Sequence, residues 1–152
     1  MQRFWTSRRL GLTLIAVGLL ALTAWVIRPL FQAAKNEADR QAIHQVIQSQ
    51  LDALKADDAD RVFELANPAM RARFRTPANF IAMIKARYEP IYRPRAVFFQ
   101  DVLVKGELAV QRLLVVDSNS RAVAAAYLLQ RQQDGAWRIG GCRLAVGEGM
   151  LV

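Results

Sequence analysis

Hydrophobic positions follow two different periods along the chain, first helical and then strand-like. Ile43, Val46, Ile47, Leu51 and Leu54 recur at steps of three and four residues, which places them along one stripe of a helix. A polar stretch precedes this helix, and the aspartate-rich run DDAD follows it. The stripe therefore predicts an amphipathic helix that packs against a partner surface.

Shorter helices are predicted after the DDAD run, residues 57–60. One of these aspartates can cap a helix N-terminus. Asn67-Pro68 is expected to end that helix, because proline disfavours the helical conformation in the residue before it. Thr76-Pro77 has the form of a cap followed by a first-turn proline. The apolar positions of these helices are Val62, Phe63, Leu65, Ala66, Met70, Phe74, Phe80, Ile81, Met83, Ile84 and Tyr88.

After Pro94 the pattern changes to β-branched and aromatic runs that are separated by turn residues. The runs are AVFFQDVLV, ELAVQRLLVV, RAVAAAYLLQR and AWRIGGCRLAV. Short connections between such runs predict a four-stranded antiparallel meander. Gly140-Gly141 inside the last run predicts a bulge or a sharp bend. Helices that precede strands on one sheet give an α+β domain, here expected over residues 42–149.

The stretch YEPIYRPRAVFF, residues 88–99, joins the two halves. Pro90 and Pro94 predict an extended, stiff crossover over residues 89–94. Tyr88 and Tyr92 are expected to seal the edge between the helical layer and the sheet, with their hydroxyls at a wet rim.

An uncharged apolar run, Leu10–Ile27, stands before the domain. At about 1.5 Å per residue it spans roughly 27 Å, close to the apolar thickness of a bilayer, about 30 Å. It predicts a single transmembrane anchor between a basic flank, residues 1–9, and a linker, residues 28–41. Three arginines precede the run and few basic residues follow it closely, so the amino terminus is expected in the cytoplasm and the domain in the periplasm.

Two export signals are alternatives to a retained anchor. A cleaved secretory signal needs small residues at the cut, and cleavage after Ala24 would place Leu22 at the minus-three position. The run SRRLGLT resembles a twin-arginine signal, with glycine where phenylalanine is usual. Both patterns fit less well than an uncleaved anchor.

Charge and cysteine content narrow the function classes. The net charge is +8, but four arginines flank the apolar run, which leaves 17 basic against 13 acidic residues in the rest of the chain. This mild excess argues against nucleic-acid binding. Cys142 is the sole cysteine, which excludes an intrachain disulfide and a multi-cysteine metal cage. We expect no metal and no cofactor.

Candidate catalytic chemistry is sparse. Strand alternation places Asp101 on one face with Phe99 and Leu103, where burial would raise its pKa and make it a weak general-base candidate. The alternative is an edge aspartate paired with Arg112. A lone carboxylate without a second acid or a nearby histidine defines no reaction class. The single histidine, His44, borders the helical stripe, either at a pocket mouth or as a structural residue.

Three stretches together resemble a bacterial family known as domain of unknown function 4864. They are QSQLDALKADDADRVFELANPAMRARF, TPANFIAMIKARYEPIYRPRAVFF and DGAWRIGGCRL, spread over about residues 43–145. The resemblance implies a nuclear-transport-factor-2-like (NTF2-like, or SnoaL-like) cone, in which helices pack into a curved four-stranded antiparallel sheet. It implies no established activity. The chain departs from the family at SNSRAVAAAY, where a glycine turn is common.

Cone folds often hold a pocket between sheet and helices, and function has to be argued from that site. The candidate ligand-binding or pocket residues are Tyr88, Tyr92, Arg93, Arg112, Tyr127, Trp137 and Cys142. The leading hypothesis is a membrane-anchored, non-catalytic module that binds a small ligand or a protein partner in the envelope. The alternatives are a small-molecule hydrolase, isomerase or lyase with Asp101 as base and Tyr127 or Arg112 orienting the substrate, and a scaffold that dimerises through its open sheet face.

Overall fold

The computed structural model describes residues 32–146. The chain divides into two compact units, residues 1–38 and 39–152. Of the first unit only residues 32–38 are described, and they are helical. The predicted anchor, Leu10–Ile27, and its basic flank lie outside the described residues. Within the described range no helix combines the length and apolar character needed to cross a membrane.

Five helices precede four strands within residues 32–146. The helices are α1 (residues 32–55), α2 (Ala59–Glu64), α3 (Pro68–Phe74), α4 (Pro77–Arg87) and α5 (Glu89–Tyr92). The strands are β1 (Ala96–Lys105), β2 (Leu108–Val116), β3 (Ala122–Arg131) and β4 (Trp137–Val146). All neighbouring strands pair antiparallel in the order β1-β2-β3-β4. The α+β class and the four-stranded meander expected from the sequence are confirmed.

Side-chain caps begin the short helices where the sequence places capping residues. Asp58 accepts a hydrogen bond from the backbone N–H of Arg61 at 2.9 Å and caps α2. Asn67 does the same for α3, and Thr76 does so for α4, each with a proline in the first turn. Each cap satisfies an N–H group that has no partner inside its helix. The predicted Thr76-Pro77 start is confirmed.

The crossover between helices and sheet differs from the expected extended segment. Residues 89–92 form the one-turn helix α5, with Pro90 in its first turn. Proline is tolerated there because a first-turn N–H has no partner inside the helix. The prolines therefore start and stop one helical turn, and the prediction of a fully extended crossover over residues 89–94 was wrong.

The sheet has one buried face, which we call the inner face, and one partly solvated face, the outer face. Strands β2 and β3 alternate between buried and partly exposed residues along most of their length. The inner face packs against the apolar stripe of α1 and the apolar sides of α2 and α4 in one core. The largest fully buried side chains of this core are Tyr127, Ile43, Ile47, Leu51, Leu54, Leu113, Leu129, Val62, Val115 and Val123.

A β-bulge lies at the glycine pair of β4, as predicted. The pairing of β3 with β4 shifts between Leu128 and Leu129, where Gly140 is the unpaired extra residue. The segment between α2 and α3 approaches the strand here, since the Asn67 N–H donates to the Ile139 carbonyl at 2.8 Å. A Cβ atom on Gly140 would lie 3.0 Å from Asn67 Nδ2. Gly140 therefore permits the close approach of the helical layer to the sheet.

Candidate functional site

A cavity of about 180 Å³ lies between the helices and the inner face of the sheet. Side chains from α1, α3, α4 and α5 form one side of it, and β3 and β4 form the other. Most of its wall is apolar, which is typical of small-molecule sites. Its lining comprises Gln50, Leu54, Met70, Arg73, Phe80, Met83, Ile84, Tyr88, Ile91, Tyr127, Ile139, Gly140, Gly141 and Cys142.

Tyr127 lies on the sheet side of this cavity. Its position at the middle of β3 on the inner face leaves the residue only 1% exposed. The hydroxyl has no hydrogen-bond partner among the described residues. Burial, with a smaller effect of Cys142, raises the pKa of Tyr127 well above its ordinary value. The group is therefore a neutral donor at physiological pH.

Cys142 lies opposite Tyr127 on the neighbouring strand β4. Its Sγ lies 3.7 Å from the Arg143 carbonyl oxygen. Burial raises the pKa of the Cys142 thiol to about 12. The thiolate is the nucleophilic form, so the thiol is unreactive at neutral pH and behaves as a small, weakly polar wall group.

Tyr88 stands at the edge of the cavity, where α4 ends. Its hydroxyl donates to the Cys142 carbonyl oxygen at 3.2 Å and joins the end of α4 to β4. The side chain is half-buried, which agrees with the expected position between the two layers.

Among the described residues, Arg73 is the only charged one in the lining of this cavity. It extends from α3 and is exposed, and its guanidinium lies over the Phe74 ring at 5.5 Å from the ring centre. It forms no ion pair with any residue that the structure describes. The mouth of the cavity therefore carries an unpaired positive charge.

Tyr92 and Arg93 lie in a separate surface cluster around Asp57. The Asp57 carboxylate accepts from the Tyr92 hydroxyl, pairs with Arg93 at 2.6 Å and pairs with Lys85 at 2.9 Å. These hydrogen bonds, led by that of Tyr92, lower the pKa of Asp57. Asp57 has a φ of 58°, in the left-handed region that aspartate tolerates better than most residues. The cluster fixes the α1–α2 turn against α4 and α5, and neither Tyr92 nor Arg93 lines the cavity.

Asp101 and Arg112 pair with each other on the outer face. The carboxylate lies 2.6 Å from Arg112 Nη2 and 2.9 Å from Nε, and its side chain is 60% exposed. The hydrogen bond from Arg112 lowers the pKa of Asp101. The expected burial and raised pKa of Asp101 were wrong, whereas the alternative of an ion pair with Arg112 is observed.

Trp137 is buried behind the cavity wall at the start of β4, not in its lining. Its indole N–H donates to the Asp39 carboxylate at 3.4 Å, and the Arg131 guanidinium stacks on the ring at 4.8 Å. Asp39 also pairs with Arg131. This group ties α1 to the ends of β3 and β4, so Trp137 positions the helix that forms one side of the cavity.

Of the residues predicted for the site, the structure therefore brings Tyr88, Tyr127 and Cys142 together at one cavity. Sequence reasoning missed Gln50, Met70, Arg73 and Met83. Gln50 is a polar residue of the amphipathic helix α1 that is only 4% exposed, and its position next to Leu51 in the apolar stripe was a usable signal. His44 is exposed and stacks on Phe99, with ring centres 3.8 Å apart, outside the cavity lining.

Metal binding finds no support in the part of the chain that the structure describes. No three histidine, cysteine, aspartate or glutamate side chains lie close enough there to hold an ion.

Comparison with protein families gives a match over most of the chain. The model of the family described as domain of unknown function DUF4864 matches residues 36–150. The chain belongs to this family. The resemblance seen in the sequence is thereby confirmed, and the matched range includes every residue of the cavity lining.

Comparison with solved structures gives a match to an NTF2-like protein of unknown function from Burkholderia xenovorans LB400. It is 11% identical, covers 74% of this chain and 89% of that chain, and has a TM-score of 0.47. No curated protein matches the sequence. The DUF4864 assignment brings no activity with it, so function has to be argued from the cavity itself.

Proposed function

We propose that this DUF4864 domain is a non-catalytic module that binds a small ligand in the cavity between its helices and its sheet. The observation that carries the proposal is Tyr127, a residue of the cavity lining whose hydroxyl is a buried donor with no partner among the described residues. Leaving such a group unpaired costs about 1–3 kcal/mol. A phenylalanine would fill the same space without that cost, so the hydroxyl indicates a ligand acceptor.

The size of the cavity sets the size of the ligand. An engineered apolar cavity of about 150 Å³ binds benzene. The 180 Å³ here therefore suits a ring or a branched chain of similar size, with room for substituents towards the mouth.

The protonation states of the lining side chains favour ligand binding over catalysis. Cys142, Tyr127 and Tyr88 are the titratable groups on the sheet-facing wall and rim, and the raised pKa values of Cys142 and Tyr127 keep both groups neutral at pH 7. No carboxylate or histidine is found among the lining residues that the structure describes. The cavity thus offers hydrogen-bond donors but no general base and no thiolate nucleophile.

A ligand panel tests this function on the full-length protein in nanodiscs of zwitterionic lipid, with empty nanodiscs as reference. Ligand-observed NMR with small aromatic and alicyclic compounds should detect saturable binding. Tyr127→Phe should weaken the binding of compounds that carry a hydrogen-bond acceptor and leave the binding of compounds without one unchanged. Met83→Phe, which fills the cavity from α4, should abolish the binding of both kinds of compound. Equal binding to all three proteins would disprove the cavity as the site.

We also propose a cellular location, on the basis of the sequence alone. The uncharged run Leu10–Ile27 and its arginine-rich flank support an inner-membrane anchor with the domain in the periplasm. Carbonate washing of membranes should leave the protein in the pellet, and protease added to spheroplasts should digest the domain. Release of the intact chain by carbonate, or protection of the domain, would contradict this location.

A second candidate function is self-association through the outer face of the sheet. Four large apolar side chains are exposed in the described structure, and strand pairing places them on this face: Phe98, Leu103, Leu108 and Leu128. The Asp101–Arg112 pair lies on the same face, so two copies related by a two-fold axis can exchange these charges across an isologous contact. Sedimentation equilibrium should show a dimer that Leu103→Glu dissociates. A monomer at high concentration would remove this candidate.

A further inference from the structure

We infer that the ligand of the cavity is a small carboxylic acid, bound with its apolar body inside and its carboxylate at Arg73. This inference rests on the proposed function and specifies the chemical class of its ligand. It is carried by the charge of the lining: of the described residues there, Arg73 is the only charged one, and none is an acid.

Arg73 is placed for this role by the helix that carries it. Its guanidinium lies over the Phe74 ring, 5.5 Å from the ring centre. A guanidinium presents paired donors that match the two oxygens of a carboxylate. Because Arg73 has no ion-pair partner among the described residues, a ligand carboxylate would displace no existing pair.

The inner part of the cavity defines the other end of the ligand. Met70 and Met83 bring thioether groups from α3 and α4, and Phe80 adds an aromatic ring. Thioethers adapt to irregular shapes and contact aromatic rings favourably. An unsaturated or aromatic body fits such a wall. Tyr127, buried on the opposite wall, would donate to a second acceptor on that body, such as a carbonyl, ether or hydroxyl oxygen.

The ligand class therefore has three parts: a carboxylate at the mouth, a body of about the size of benzene, and an acceptor at the inner end. A hydroxylated or methoxylated aromatic acid meets all three requirements. A neutral apolar compound meets only the second, and an inorganic anion meets only the first.

Matched pairs of probes test the assignment on the full-length protein in zwitterionic nanodiscs. The probes are benzoate with benzamide, and 4-hydroxybenzoate with 4-hydroxybenzyl alcohol, titrated by isothermal calorimetry. Each acid should bind roughly five- to tenfold more tightly than its neutral counterpart, and raised salt should reduce the difference. Arg73→Gln should remove that preference while leaving the neutral probes unchanged.

Arg71→Gln is the control variant. Arg71 lies on the same helix and is exposed, but it is not part of the cavity lining. This variant should keep the acid preference, and Arg73→Lys should restore part of it. If neutral and acidic probes bind equally, or if Arg73→Gln and Arg71→Gln have the same effect, the carboxylate assignment is wrong. The proposal that the cavity binds a small ligand would then remain. If no probe binds, both proposals fail.

Discussion

Tyr127 on β3 and Cys142 on β4 are cross-strand partners on the inner face of the sheet. Both residues belong to the wall of one cavity. Burial raises the pKa of both groups, so a hydroxyl and a thiol stand side by side as neutral donors. A wall of this kind offers hydrogen-bond donors to an acceptor, which is what the proposed binding function requires.

Tyr127→Phe should leave the free energy of unfolding unchanged or raise it by about 1 kcal/mol, because the hydroxyl is buried without a partner in the described structure. Urea denaturation measures the change. Tyr88→Phe is the matched control, since its hydroxyl donates to the Cys142 carbonyl. That variant should lose about 1 kcal/mol. A clear destabilisation by Tyr127→Phe would show that its hydroxyl has a protein partner.

The Cys142 thiol should resist modification in the folded protein. A pKa of about 12 in place of 9.0 lowers the thiolate fraction near pH 8 by about a thousandfold. Labelling with a disulfide reagent such as DTNB should be correspondingly slow in buffer and should reach the rate of a free thiol in denaturing urea. Rapid labelling under native conditions would contradict both the burial and the raised pKa.

Stability should fall in alkaline solution. The unfolded chain loses the Cys142 proton near pH 9, whereas the folded protein keeps it up to about pH 12. Above pH 9 the unfolded state therefore binds fewer protons, and the free energy of unfolding decreases as pH rises. Tyr127 acts in the same direction at still higher pH. Urea denaturation between pH 8 and pH 10.5 measures the slope, which Cys142→Ala should reduce. An unchanged slope in that variant would remove Cys142 as its source.

Sequence reasoning predicted the order of elements because their signals are local. Thr76-Pro77 starts a helix by its own capping chemistry, and the turn residues between the apolar runs separate the strands. The predicted burial of Asp101 was wrong because the face on which a strand residue lies depends on the register of strand pairing. Strict alternation places it with Phe99 and Leu103, but the register of β1 shifts between Phe99 and Val102. One extra residue reverses the faces, so Phe99 packs on the core while Leu103 is 68% exposed.

The cavity residues that the sequence predicted are those whose side chains carry a hydroxyl or a thiol group. Cys142 was considered because it is the sole cysteine and Tyr127 because it could orient a substrate, and both belong to the lining. Arg73 carries no such signal, since it is one of two arginines in the short helix α3. Its place in the lining depends on the packing of α3 against the sheet, which is a tertiary relationship that no local pattern encodes.

Gly140→Ala and Gly141→Ala should differ in stability although the residues are neighbours. A Cβ on Gly140 would meet Asn67 Nδ2 at 3.0 Å, whereas a Cβ on Gly141 would meet only Leu128 Cδ1 at 3.8 Å, an ordinary contact. Asn67 cannot easily move away, since its Oδ1 caps α3 through the Met70 N–H and its Nδ2 donates to Gln130. Gly140→Ala should therefore cost about 1–3 kcal/mol of unfolding free energy.

Gly141→Ala should stay within about 0.5 kcal/mol of wild type, as is usual for substitutions that disturb no packed contact. Urea denaturation compares the two variants, and a double variant with Asn67→Ala identifies the cause. Removal of the Asn67 amide should relieve the contact, so the two substitutions together should cost less than the sum of their separate effects. If the two costs simply add, the close approach of Asn67 is not what requires glycine at position 140, and the bulge itself must require it.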